Sequence, residues 1–373
     1  MKILFITPYV PTNRAGGEKF TKLLLEHLSQ NHKVDLLYFR YANDPEYISP
    51  NKNVRVLQVY YNSIRTKLCN AILYPVVYPL FSVRFNYSVL RFLKIKMKEN
   101  EYDLLYLDHS QMALYGKFFP NIRKVYMSHD VMAQRYTRNS NFLIRRFVLA
   151  SEKYVMHQPN TMIFTFSEKD RLIIKSKYKI DSYVTNFYLD DVILSAIPMS
   201  IERQLVFFGQ WKRADNFDGL KWFVENVYKG LSKDIRILII GGGLSEDFQT
   251  YVKSLDRIEY LGFVENPYKL IANSLAVVSP LFSGAGVKVK VIESLACGTP
   301  VIGNDIAFEG ISSEYEDFML YADSIESYVY TINNINISIS QRIQFKEFFL
   351  KSYQHRYISS FIDGLNNKMY NKC

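Results

Sequence analysis

Short apolar runs alternate with stretches of helical periodicity along nearly the whole chain, and this alternation restricts the fold more than any other feature. Runs at Lys2–Thr7, Val34–Phe39, Val54–Val59, Leu104–Leu107, Lys124–Met127, Thr161–Phe166 and Tyr183–Thr185 have strand length, with helical patterns between most of them. Such an order specifies a mostly parallel sheet covered on both faces. Glu18–Gln30 carries leucines at helical spacing behind a turn-rich loop over Pro8–Gly17. Ser167 with Asp170 three residues later reads as a capped helix start.

Residues 188–204 have weak periodicity and read as a linker. The alternation then restarts, with strands at Leu205–Phe208, Ile235–Ile240, Ile258–Leu261, Ala276–Ser279 and Pro300–Gly303. Helices are expected over Asn216–Tyr228, Glu246–Leu255, Pro267–Ser274 and Lys288–Cys297, and an amphipathic helix over Ser340–Asn371. The expectation is α/β with two doubly wound domains, 1–188 and 189–350, and a terminal helix, 351–373, packing back toward the first domain. Ligands in such sheets bind at the carboxyl ends of the strands, so a site is expected in a central cleft that the two domains face.

Composition excludes several classes. With 48% hydrophobic and 22% charged residues the chain can build sizeable cores and is not globally disordered. The longest apolar stretch, Ala71–Phe81, is about half the length of a bilayer span and contains Pro75 and Pro79. The first residues read as a buried strand rather than an export signal. Cys69, Cys297 and Cys373 are too scattered for a disulfide framework or a zinc site, so a reducing, cytoplasmic setting is expected. The net charge of +10 is unevenly spread: residues 1–190 hold 28 Lys+Arg against 15 Asp+Glu (+13), and residues 191–373 hold 18 against 21 (−3). A basic half calls for nucleic acid, an anionic membrane surface or an anionic substrate, or else reflects compositional drift.

The segment from Ser283 to Ile302 carries the most chemistry. Gly284 and Gly286 allow close backbone approach to a ligand, and the helix that follows offers free N–H groups to a phosphate. Lys288 and Lys290 sit where the helix dipole disfavours cations, a cost more readily borne if an anion binds there. Glu293, one turn on, is placed to accept hydrogen bonds from a ribose diol.

The pattern Gly-x-Gly-x-Lys-x-Lys-x-x-Glu-x-Leu-Ala-x-Gly-x-Pro-Val over residues 284–301, followed by Glu309-Gly310, resembles the donor-binding signature of GT-B glycosyltransferases of the large family-4-like group. Gly16-Gly17 after the first strand, Phe208-Gly209 with Asn216-Phe217-Asp218-Gly219 and Trp222-Phe223, Gly262-Phe263-Val264, and Ser279-Pro280-Leu281 agree with it. The resemblance implies two Rossmann-like domains, with a nucleotide-sugar donor held mainly by the second and a glycan or lipid-linked acceptor mainly by the first. It further implies transfer with retention, without a catalytic metal or other cofactor, in surface polysaccharide synthesis. Carried over, Glu293 binds ribose, and Lys290, then Lys288, pair with the diphosphate. The backbone of Gly284, Ala285, Gly286 and Val287 contacts phosphate and sugar. His129, at a strand end before Asp130, contacts the donor sugar near the reacting centre, and His129 and Lys290 are the expected catalytic residues. Gly16 and Gly17 contribute to donor binding; Asp108, His109, Asp130 and Glu309 are expected to line the cleft. The family often has Glu-x7-Glu, and Ala285 stands where its first glutamate would be. Lys212 and Arg213 lie near the position after Gly209 where many relatives carry cations for the diphosphate.

Gly241-Gly242-Gly243 fails as a dinucleotide fingerprint because Glu246 stands where glycine or alanine is needed. The chain has no Asp-x-Asp, the metal-binding pattern of the other major glycosyltransferase fold, and no evident carboxylate pair of the glycoside hydrolase kind. Residues 60–98 contain Arg65, Lys67, Arg84, Arg91, Lys94, Lys96 and Lys98, with Tyr74, Tyr78, Phe81, Phe85, Tyr87 and Phe92 interleaved. Cations beside aromatics suit an anionic membrane surface, extended by Arg135, Arg138, Arg145 and Arg146 within 135–146, and make the expected enzyme peripheral on the inner face of the cell membrane. No nucleic acid is expected, although single-strand binders share this mixture. The competing classes are a non-catalytic relative that binds a partner and a nucleic-acid-binding protein.

Overall fold

The computed structural model describes residues 1–139 and 141–370; the side chains of residues 135, 137–139 and 366–370 lie outside that description. Two compact units form, Met1–Tyr188 with Arg356–Cys373, and Leu189–His355.

The first unit runs β1 (Lys2–Thr7), α1 (Gly16–Asn31), β2 (Lys33–Arg40), β3 (Val54–Tyr61), α2 (Ile64–Leu73), α3 (Pro79–Ser82), α4 (Tyr87–Glu99), β4 (Leu104–Asp108), α5 (Ser110–Gly116) and β5 (Lys124–Met127). It continues with α6 (Met132–Asn139), α7 (Phe142–Met156), β6 (Thr161–Thr165), α8 (Glu168–Tyr178) and β7 (Tyr183–Val184). All seven strands pair in parallel, in the order β3-β2-β1-β4-β5-β6-β7. Ile3, Leu4, Phe5 and Ile6 are fully buried, because helices cover both faces of this central strand. Each such side chain contributes about 1.5–3 kcal/mol by leaving water.

The second unit runs α9 (Asp191–Leu194), β8 (Glu202–Phe208), α10 (Ala214–Asn226), β9 (Arg236–Ile240), α11 (Glu246–Lys253), β10 (Ile258–Gly262), α12 (Tyr268–Ala272), β11 (Ser274–Ser279) and α13 (Val289–Ala296). Then come β12 (Val301–Gly303), β13 (Met319–Tyr321), α14 (Ile325–Asn333) and α15 (Ile339–Tyr353). Its six strands are also parallel, in the order β10-β9-β8-β11-β12-β13.

Three expectations need correction. Gly16 and Gly17 are the first turn of α1 rather than part of the preceding loop. The amphipathic stretch over Ser340–Asn371 is two helices, α15 and α16 (Tyr357–Tyr370). The break has a local cause: the Tyr188 hydroxyl accepts the backbone N–H of Ser359 at 3.1 Å, satisfying a donor in the first turn of a new helix. Within the first unit α16 packs on α1, and its Ile358 and Ile362 are fully buried.

The third correction concerns the basic, aromatic stretch. Phe81 and Phe85 are core residues, Arg84 is buried, and Tyr74, Tyr78 and Phe92 pack partly buried against the same core. Aromatics at helical spacing here fill the interior. Tyr87 stays exposed as expected, and the further exposed apolar side chains include Ile64, Leu68 and Ile72 at intervals of four on α2, then Leu73 and Val76, and Phe142 and Leu143 at the start of α7. Among the described residues no helix is long and apolar enough to cross a membrane. The side chains of Arg135 and Arg138, and the whole of Cys373, lie outside the described part.

Candidate functional site

Each sheet grows outward in two directions from one pair of strands, β1 and β4 in the first unit, β8 and β11 in the second. The loops leaving the carboxyl ends of such a pair diverge and open a crevice. The chemistry-bearing residues gather at these two places.

In the first unit β4 ends in Asp108, fully buried, whose Oδ2 accepts hydrogen bonds from Thr7 Oγ1 (2.8 Å) at the end of β1 and Thr21 Oγ1 (2.7 Å) on α1. Its Oδ1 lies 2.8 Å from His129 Nε2. Burial disfavours the ionised carboxyl, but His109, His129 and the hydrogen bonds from His129 and Thr21 outweigh it and hold Asp108 below the usual carboxylate range. An ionised Asp108 can only accept, so His129 Nε2 carries the hydrogen and Nδ1 is the acceptor of the neutral ring.

His109 has a left-handed backbone (φ 62°), uncommon for a residue with a side chain. Its ring stacks on that of His129 with centroids 3.4 Å apart and planes 13° apart. Burial above all pushes the His109 imidazole down to about 3, so it is neutral at pH 7. Gly17 explains how two rings fit beside α1: a Cβ there would stand 2.9 Å from His109 Cε1 and 3.4 Å from His129 Nδ1. Asp108, His109 and His129 bring one ligand atom each within 4.8 Å of one another. The rings lie face to face, so their nitrogen lone pairs run side by side rather than converging, which suits hydrogen bonding better than chelation. Asp130 is half-buried beside this cluster.

In the second unit the loop after β11 turns through Gly284 (φ 127°) and Gly286 (φ 71°), conformations that residues with side chains rarely adopt. Between and after them, Ala285 and Val287 are half-buried. Lys288 is the residue that caps α13, with no side-chain cap on the helix N–H groups, and its Nζ donates to the Gly286 carbonyl (2.5 Å) and stands 3.7 Å from Glu309. Lys290, in the first turn, donates to Asn216 Oδ1 at 3.1 Å. Burial, reinforced by the charges of Lys288 and Arg213, pushes the Lys290 ammonium down to about 7. Glu293 is 4% exposed one turn further, and the Tyr268 phenol, raised by burial and by this carboxylate, hydrogen-bonds to it. Ser283 Oγ donates to Asp215, which also faces Arg213.

The structure therefore brings Gly284, Ala285, Gly286, Val287, Lys288, Lys290, Glu293 and Glu309 together in one unit, and Gly16, Gly17, Asp108, His109, His129 and Asp130 in the other. Arg213 and Asn216, from the stretch after Gly209 already noted in the sequence, join the first group, as does Tyr268, which comes from another strand–helix turn without a local signal. Of the cations near Gly209, Arg213 is the one within electrostatic reach of Lys290. Thr7 and Thr21 could be suspected only as polar residues flanking an apolar strand and its glycine turn.

Comparison with known proteins places this geometry. Residues 202–335 match the family described as Glycosyl transferases group 1. Residues 134–240 match a family of unknown function. An uncharacterised 44.6 kDa protein in the cps region of Klebsiella pneumoniae is 21% identical over 297 residues, covering 73% of this chain and 69% of its own length. Among solved structures, sucrose-phosphate synthase from Thermosynechococcus elongatus superposes with a TM-score of 0.73 at 15% identity, covering 100% of both chains. WaaG, a glycosyltransferase involved in lipopolysaccharide biosynthesis, gives 0.64 at 13% identity over 96% of both chains. Anabaena Alr3699/HepE in complex with UDP gives 0.64 at 14% identity over 100% of both. The chain has the GT-B fold of these glycosyltransferases, and residues 202–335 of its second unit match the group 1 family.

Proposed function

We propose that the protein transfers a sugar from a nucleoside-diphosphate donor to a glycan or lipid-linked acceptor, with retention of configuration and without a catalytic metal. The observation that carries this reading is the convergence of Lys288, Lys290, Arg213 and the uncapped start of α13 at the carboxyl ends of β8 and β11, with Glu293 one turn away. That is three cations and a row of N–H groups for a diphosphate, and a carboxylate for a ribose diol. Complexes of HepE with UDP and with UDP-glucose, in the same fold, support a nucleotide-sugar donor.

As the bond from the sugar C1 to the diphosphate oxygen breaks, negative charge grows on that oxygen. Lys290 and Lys288, held by Asn216 and by the Gly286 carbonyl, stabilise this charge more than the ground state. The acceptor hydroxyl then bonds to C1 and gives its proton to the departing phosphate. His129, oriented by Asp108, offers Nδ1 to a sugar hydroxyl. The likeness to a protein of the cps region and to WaaG supports a place in surface polysaccharide synthesis.

Peripheral docking on an anionic membrane fits the first unit through the segments read in the sequence, 60–98 and 135–146, but with other apolar side chains than the buried aromatics. The stripe Ile64, Leu68 and Ile72 on α2, flanked by Arg65 and Lys67, and Phe142 and Leu143 beside Arg145 and Arg146, combine exposed apolar side chains with cations. A cytoplasmic location follows from this reading, since nucleotide sugars are its substrate.

The test is transfer from a panel of nucleotide sugars, with the anomeric configuration of the product read by NMR, in the presence and absence of EDTA. Retained configuration and EDTA-insensitive turnover are expected. Inverted product or loss of activity in EDTA would refute the corresponding part.

A further inference from the structure

Arg84 lies in the turn between α3 and α4 and is 3% exposed. Its position is built: Phe81 and Phe85 on either side are in the core, and the Tyr115 hydroxyl donates to its carbonyl at 2.7 Å. The guanidinium, however, has found little. Nη1 donates to the neutral amide oxygen of Gln111, the ring face of Tyr9 lies 4.5 Å away, and the buried Nε has no hydrogen-bond partner. Among the described residues no carboxylate forms an ion pair with it. Tyr9 follows β1 and meets His109 edge-on at 5.2 Å, which puts Arg84 at the carboxyl ends of β1 and β4. The carboxylate there, Asp108, is committed to Thr7, Thr21 and His129.

A buried cation with one neutral partner is costly unless a counter-charge arrives. A guanidinium offers paired donors that match the oxygens of phosphate or carboxylate, and the Tyr9 face and Gln111 hold its plane. We propose that Arg84 anchors an oxyanion of the acceptor, a phosphate or a carboxylate, beside Tyr9 and Gln111. This rests on the reading of the first unit as the acceptor-binding one. It makes Arg84 a specificity residue, because an uncharged acceptor would leave the guanidinium unpaired.

The test uses the full chain carrying Lys288→Ala and Lys290→Ala, which silences the anion site of the second unit. Methyl phosphate and glucuronate are titrated separately by calorimetry, with no donor and no transfer reaction, so the outcome is independent of whether glycosyl transfer is observed. Saturable binding of at least one is expected, and which one binds identifies phosphate or carboxylate as the source. Adding Arg84→Gln should weaken it at least tenfold, with the ligand-free melting temperature unchanged or raised because an uncompensated cation is gone. Arg84→Lys, keeping the charge but not the fork, should give intermediate affinity. Absence of saturable binding, or binding that Arg84→Gln leaves unchanged, would overturn the proposal. A lowered ligand-free melting temperature with unchanged binding would mark Arg84 as structural.

Discussion

Asp108 holds His129 through a 2.8 Å contact between its Oδ1 and the ring Nε2, and two threonine hydroxyls fill its other oxygen. This arrangement fixes which imidazole nitrogen carries the hydrogen. Asp108→Asn keeps the shape but removes the charge that selects that tautomer. The expected outcome is a fall in kcat of about a hundredfold, the scale of one lost preorganised hydrogen bond in the transition state, with donor affinity within about twofold of wild type. Steady-state kinetics and donor titration on the same preparation check it.

Lys290 gives donor binding a pH dependence whose sign can be worked out. Its ammonium sits at about 7 in the free protein, so a growing fraction is neutral as pH rises above that value. A bound diphosphate favours the charged form and raises the pKa, so binding takes up a proton. Donor affinity should fall by up to about tenfold per pH unit above pH 7, until the bound lysine itself titrates. Calorimetry in buffers of different ionisation enthalpy should show proton uptake in wild type and none attributable to this site in Lys290→Met.

Legibility followed sequence distance. Gly284, Gly286, Lys288, Lys290 and Glu293 occupy one turn and one helix, so their joint meaning survives without the fold. Arg213 and Tyr268 reach the same place from the β8 and β10 turns; Arg213 could be named beside Lys212 after Gly209, with nothing to choose between them, and no local pattern marks Tyr268. The parallel order of both sheets was readable from alternation, whereas β13, three residues long and half-exposed, has too little periodicity to see. The aromatic stretch misled for a physical reason: at helical spacing a tyrosine or phenylalanine serves a core as well as it serves an interface, and Phe81 and Phe85 serve the core.

The α2 stripe offers a direct comparison. Leu68→Glu with Ile72→Glu replaces two exposed apolar side chains, 60% and 75% exposed, on a face with no described core role. Binding to anionic vesicles should drop at least tenfold by co-sedimentation, with the melting temperature within about 2 °C of wild type. Vesicle binding that persists would remove this face from the docking surface.

Glu152 on α7 is fully buried and accepts the backbone N–H groups of Met132 (2.7 Å) and Ala133 (2.9 Å) and the Tyr178 hydroxyl (2.6 Å), capping the helix that follows His129. Burial raises its carboxyl to about 7 despite these donors. The folded-state pKa is above the unfolded one, so the fold favours the protonated form, and that contribution is lost as pH rises from the ordinary carboxylate value through about 7. The melting temperature of wild type should decline between pH 5 and 8 relative to that of Glu152→Gln. Parallel curves would contradict the assignment.

The central claim is that the turn from β11 into α13 binds a nucleoside-diphosphate sugar through Lys288, Lys290 and Glu293. Calorimetric titration of a nucleotide-sugar panel into wild type and Glu293→Ala tests it most directly. The expected result is saturable binding of at least one nucleotide sugar by wild type, weakened at least tenfold in Glu293→Ala with the melting temperature of the ligand-free protein retained. Wild-type affinity in the folded Glu293→Ala variant would contradict the claim.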